Sequence, residues 1–150
     1  MGENNFNVAK KNKVGKKMTV KIIAGIVGIA VVVGAVFGAR YFLQLREYKK
    51  RIESIKISDV DMSKIGDGTY KGSYDAIFVG ADIEVAVKNH AIENINIINH
   101  KNERGKKAEQ IIDKIVSAQS LKVDTISGAT NSSKVLIKAV ENALESAKQQ

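Results

Sequence analysis

The sequence predicts an α+β fold, a small antiparallel sheet covered by helices, preceded by a single N-terminal transmembrane helix. Three observations carry this. Residues 22–39 are apolar without interruption, enough for roughly 27 Å of helix, close to the hydrocarbon thickness of a bilayer. Between residues 69 and 98 lie short runs with period-2 alternation, separated by turn signals. Residues 108–147 carry two apolar stripes at helical spacing. A β-β-β-α-loop-α order suits a sheet with helices gathered on it.

Taken in order, residues 1–21 form a basic tail containing Lys10, Lys11, Lys13, Lys16, Lys17 and Lys21, with too few apolar residues to fold alone. Residues 22–43 read as a transmembrane signal anchor. Gly25, Gly28, Gly34 and Gly38 are poor choices in a soluble helix but ordinary in a membrane span. No remaining element is large enough to bury a helix that is apolar all round. Val36, Phe37 and Gly38 make a weak cleavage site, so the anchor is expected to stay. Six lysines before the span against five basic residues soon after it place the N-terminus in the cytoplasm by a narrow margin. Residues 44–66 read as a helical stalk running into a polar linker.

The domain proper is expected over 67–150. Asp67 and Gly68 open it with a turn. Thr69–Tyr74 is a first strand. Asp82–Lys88 is a second, with Ile83, Val85 and Val87 on one face. Lys88, Asn89 and His90 turn into a third strand over 92–98. A helix follows, with Ala108, Ile111, Ile112, Ile115 and Val116 on one side. His90 and His100 read as surface turn residues.

The chemistry is concentrated in Asp124-Thr-Ile-Ser-Gly-Ala-Thr-Asn-Ser-Ser133 and the helix behind it. A small, hydroxyl-rich loop entering a helix is a natural anion site, because the first N–H groups lack intrahelical partners and that end of the dipole is positive. Hydroxyls before a helix are also ordinary N-caps that bind nothing. The residues alone leave both readings open.

Asp124, Ser127, Gly128, Ala129 and Thr130, with Ser132 two positions on, resemble the flavinylation motif of the FMN-binding domain family. This family includes the flavin-bearing subunits of sodium-pumping NADH:quinone reductase and of Rnf-type complexes. The opening Asp67-Gly-Thr-Tyr-Lys-Gly72 and the Gln119-Ser120 pair resemble further features of it, and together the similarity covers about residues 67 to 145. It implies FMN joined by a phosphoester bond to the Thr130 hydroxyl by a separate flavin transferase, so that this domain is that enzyme's substrate. Gly128 and Ala129 would then let the phosphate and the transferase approach closely. Ser127 and Ser132 would bond phosphate oxygens, beside a helix start near residues 132–134. Asp124 would serve the transferase's metal or cap the loop. Glu103 stands at the glutamate of a His-x-Glu-Thr-like cluster near the flavin, with Arg104 in place of its threonine; read alone, this loop is simply solvated.

Composition narrows the alternatives. The chain has no cysteine, proline or tryptophan, so disulfides, thiolate metal sites and thiol catalysis are excluded. Residues 1–65 hold 13 basic and 5 acidic residues, whereas residues 66–150 hold 11 of each. The net charge of +8 therefore belongs to the N-terminal part. A neutral domain argues against nucleic acid as partner. No catalytic triad, paired carboxylates, metal-ligand cluster or dinucleotide fingerprint appears. The expectation is an extracytoplasmic electron carrier held at the cell membrane's lipid bilayer, exchanging electrons with a membrane redox partner such as a quinone-linked dehydrogenase. A flavin-dependent reductase of a small acceptor and a flavin-free interaction module are the alternatives.

Overall fold

The computed structural model describes residues 3–102 and 105–148, with side chains from Met18 onward. The chain divides into two units, residues 1–43 and 44–150. Helix α1 is Glu3–Ser54. It begins inside the basic tail expected to have too few apolar residues to fold alone; lysine is a good helix former and the stretch holds no proline. Within Met18–Ser54 an 18-residue window reaches a mean hydropathy of 2.6, and none of it is buried. Ile22, Ile26, Ile29, Val33 and Phe37 are all exposed. This is therefore not the core helix of a soluble fold. It is a candidate membrane span by length and composition.

In the second unit, β1 (Gly68–Asp75), β2 (Gly80–Lys88) and β3 (Ala91–Lys101) form an antiparallel sheet in the order β1-β2-β3. The expected alternation is borne out: Ile83, Val85 and Val87 are buried, while Asp82 and Lys88 face out. The β2–β3 hairpin turns through Asn89 (φ 52°) and His90 (φ 59°). Two left-handed residues are what a type I′ turn requires. Neither is glycine, and the conformation is held from outside: Asn89 N–H donates to Asp67 Oδ1 at 2.7 Å, and His90 Nδ1 lies 2.8 Å from the Ile65 carbonyl oxygen.

Two helices cover the sheet, as expected. The first arrives as a 3-10 segment, Lys106–Gln110, leading into α2, Ile111–Ala118. The second is α3, Thr130–Ala147. Helix α3 packs on β1 and β2, and Val135, Leu136, Ala139, Val140, Ala143 and Leu144 are buried. Each fully buried large aliphatic contributes about 1.5–3 kcal/mol. The close approach depends on Gly72, where a Cβ would lie 2.3 Å from both Ala139 O and Ala143 N.

Two expectations are corrected. The stretch read as a polar linker belongs to the core: Val60 and Ile65 are buried, as is Ile52 on the last part of α1. It is fastened to α3 by Glu141, only 3% exposed, whose carboxylate accepts from Ser58 N–H at 3.0 Å and from Lys138 Nζ at 2.7 Å. Asp61, in the same stretch, accepts from the Ser63 hydroxyl and pairs with Lys64, which hold its carboxyl below the usual range. The second correction is His100, which lies inside β3 rather than in a surface turn. Its side chain is 2% exposed, with Nδ1 3.0 Å from Glu109 Oε1.

Candidate functional site

The motif is a tight turn running directly into α3. Ala129 N–H donates to Ile126 O at 2.9 Å, closing a four-residue turn whose third member, Gly128, has φ 77°. A positive φ at that position is where a type II turn calls for glycine. Open space surrounds the missing Cβ, with no atom within 4 Å. Gly128 is therefore explained by backbone conformation, and the approach to it is clear.

Helix α3 starts at Thr130 rather than near residues 132–134. The N-cap is Ala129, which has no side-chain acceptor, and no side-chain hydrogen bond from the described residues caps the helix. Of the four N–H groups that a helix start leaves over, Ala129 spends its own in the turn. Those of Thr130, Asn131 and Ser132 remain at the positive end of an 18-residue helix with no acidic residue in its first turn. The motif hydroxyls are thus not serving as an ordinary N-cap.

The four hydroxyls of residues 127–133 divide sharply. Ser127 and Thr130 are exposed. Ser133 is fully buried: its Oγ accepts from Ile126 N–H at 3.0 Å and donates to Ala129 O at 3.0 Å, tying the turn to the first turn of the helix. Ser132, expected to bond phosphate through its hydroxyl, is 5% exposed and packs against Gly105, where a Cβ would sit 2.0 Å from Ser132 Oγ. Burial takes that hydroxyl off the surface shared by Ser127 and Thr130 and leaves Ser132 its backbone N–H. Ala129 is 7% exposed and small enough to let the turn lie flat on the core.

Asp124 is exposed. Its backbone oxygen accepts from Lys114 Nζ at 3.3 Å. Among the described residues its carboxylate has no hydrogen-bond partner, so it does not cap the loop. Glu103, and Arg104 beside it, lie outside the described residues. The neighbouring Asn102 holds the loop, accepting from Gly105 N–H and donating to His100 O, each at 3.0 Å.

Three contributors were not singled out for these roles in the sequence. Ser133 is the internal clamp. Lys134 stands four residues after Thr130, on the same helical face, and helical side chains lean toward the N-terminus. It is partly exposed and has no ion-pair partner among the described residues. Tyr48, on α1, accepts at its hydroxyl from Asn131 Nδ2 at 2.9 Å. The i, i+4 spacing could have revealed Lys134, whereas nothing local reveals Tyr48.

The Gln119-Ser120 pair is wholly engaged. Gln119 ends α2 with φ 50°; its amide donates to Ile92 O and Val116 O and accepts from Ile92 N–H, at 2.7 to 2.9 Å. Ser120 Oγ donates to the Asp59 carboxylate at 3.3 Å.

Over 118 residues the chain is 27% identical to an uncharacterized protein of Treponema pallidum (strain Nichols). That stretch is 75% of this chain, which spans about a third (33%) of the relative's length. The family model of the FMN-binding domain matches residues 80–145, from the start of β2 through the motif into α3, leaving the Asp67–Gly72 opening outside. Residues 80–145, which include the start of α3 and the exposed threonine, are thus similar to the FMN-binding domain family.

Proposed function

We propose that this chain is a membrane-anchored, extracytoplasmic flavoprotein that carries FMN on Thr130 through a phosphoester bond and serves as an electron carrier. The observation that supports this most is the state of Thr130. It is exposed at the first position of a helix whose leading N–H groups have no side-chain cap among the described residues. A phosphate esterified there would meet the N–H groups of Thr130, Asn131 and Ser132, with the Lys134 ammonium as counter-charge. The uncrowded Gly128 leaves room for it.

A free threonine hydroxyl is a weak nucleophile and no base among the described residues bonds to it, so activation comes from a flavin transferase. Thr130 Oγ forms a bond to the flavin-side phosphorus of FAD, the pyrophosphate link breaks, AMP leaves, and the hydroxyl proton passes to the transferase's base. The Asp124 carboxylate, exposed and without a partner among the described residues, is repulsive toward a bound phosphate and would instead serve the transferase's metal ion. Bound flavin supplies electron transfer, while the protein positions it and tunes its potential. The exposed apolar helix anchors the domain outside the cytoplasm, where a membrane redox partner such as a quinone-linked dehydrogenase can reach it.

The test is the intact mass and in-gel fluorescence of the denatured full chain, co-produced with a flavin transferase. A fluorescent band heavier by FMN less water is expected. Unmodified mass, with the transferase active on a control substrate, would reject the proposal. Turnover of a small oxidant by the flavinylated protein alone would make it a reductase instead of a carrier.

A further inference from the structure

The loop between β1 and β2 holds a strained backbone. Ile77, a β-branched residue, has φ 71°. Such a conformation is a genuine outlier and persists only where the surroundings enforce it. Here they do. Ile77 N–H donates to Asp75 Oδ1 at 2.6 Å, Lys101 Nζ donates to Ile77 O, Ala76 N–H donates to Val79 O at 2.8 Å, and Arg51 Nη1 donates to Asp75 O at 3.1 Å. What this loop presents is Phe78, edge-on to Tyr48 with ring centroids 5.4 Å apart and planes at 74°. Both rings are partly exposed. Tyr48 is in turn bonded through its hydroxyl to Asn131, the neighbour of Thr130.

We infer that the Tyr48–Phe78 pair is the docking surface for the isoalloxazine ring of the flavin. The inference rests on the proposed attachment at Thr130. The short Asn131 side chain already reaches the Tyr48 hydroxyl, so the longer phosphate and ribityl chain starting one residue earlier reaches the same aromatic pair. A planar, electron-poor ring gains from stacking on a tyrosine, and two half-buried aromatics offer it an apolar face beside a polar motif. Tyr48 is thereby a positioning residue as well as part of the domain's packing.

Flavin emission tests this directly. A tyrosine in contact with the excited ring donates an electron that returns within the pair, shortening the emission lifetime. The chain has no tryptophan and four tyrosines, so few quenchers compete. Emission lifetime and anisotropy are measured on the flavinylated full chain in detergent, with attachment confirmed by mass in each variant. Tyr48→Phe is expected to remove the short-lived component while anisotropy stays high, because a ring remains but the electron donor is gone. Tyr48→Leu is expected to lower the docked-to-free ratio by about two- to ten-fold. Tyr74→Phe, whose hydroxyl bonds Arg51 O instead, is expected to change neither. A parent flavin that is long-lived and freely rotating overturns the inference and leaves the proposed function standing, as does a short lifetime unchanged in Tyr48→Phe. A parent chain that carries no flavin removes both. If Tyr48→Leu fails to fold, the Tyr48→Phe lifetime decides.

Discussion

Two hydroxyl-bearing segments of this domain, one ending α2 and the other starting α3, treat their polar groups in opposite ways. At Gln119-Ser120 each side-chain polar group has a partner inside the protein. The Gln119 amide satisfies both backbone groups of Ile92, and Ser120 reaches Asp59. At residues 124–134 the pattern is divided. Ser133 is bonded inward, whereas the Asp124 carboxylate, the Thr130 side chain and three helix N–H groups face outward without a side-chain partner among the described residues. A fold has no use for unpaired donors at a helix start, since a cap stabilises by about 1 kcal/mol. The difference teaches that the first segment is architecture, whereas the second leaves one side open, as the proposed attachment of FMN requires.

This contrast breaks or sharpens under substitution. The largest loss of stability is expected for Ser133→Ala, which strands the buried Ile126 N–H and should cost ~1–3 kcal/mol in urea unfolding. Because Ser133 ties the turn to the helix, the same variant is expected to slow flavin attachment. Gln119→Ala leaves both backbone groups of Ile92 without this partner and should cost ~2 kcal/mol; attachment in the folded fraction is expected to be normal. Ser120→Ala breaks a long contact at a partly exposed site and should cost below ~1 kcal/mol. Asp124→Ala is expected to change stability by less than ~0.5 kcal/mol yet to block attachment, as read by intact mass. Normal attachment in that last variant would remove Asp124 from any role toward the transferase.

How much of this was legible depended on the range of the interactions. The strands could be read because Ile83, Val85 and Val87 alternate with outward residues, and α3 because its stripe repeats at helical spacing. The turn at Asn89-His90 was legible in place, though its left-handed backbone leans on Asp67 and Ile65 some 20 residues away. The linker was misread because Val60 and Ile65 are isolated among polar residues, and only long-range packing buries them. His100 was misread for the same reason. Within the motif, composition marked Ser127, Gly128 and Thr130. It did not separate Ser132 from Ser133, because which hydroxyl turns inward depends on where the helix begins. Tyr48 was invisible, since its link to Asn131 spans 83 positions.

The division between inward and outward hydroxyls is tested most directly by peptide mapping of the flavinylated chain by tandem mass spectrometry. Ser127, Thr130, Ser132 and Ser133 all lie within seven residues and compete chemically for the same phosphate. FMN found on Thr130 alone, and absent from the Thr130→Ala chain, is the predicted result. FMN on Ser127, Ser132 or Ser133, or its retention after Thr130→Ala, would contradict the assignment of Thr130 as the hydroxyl this domain holds open.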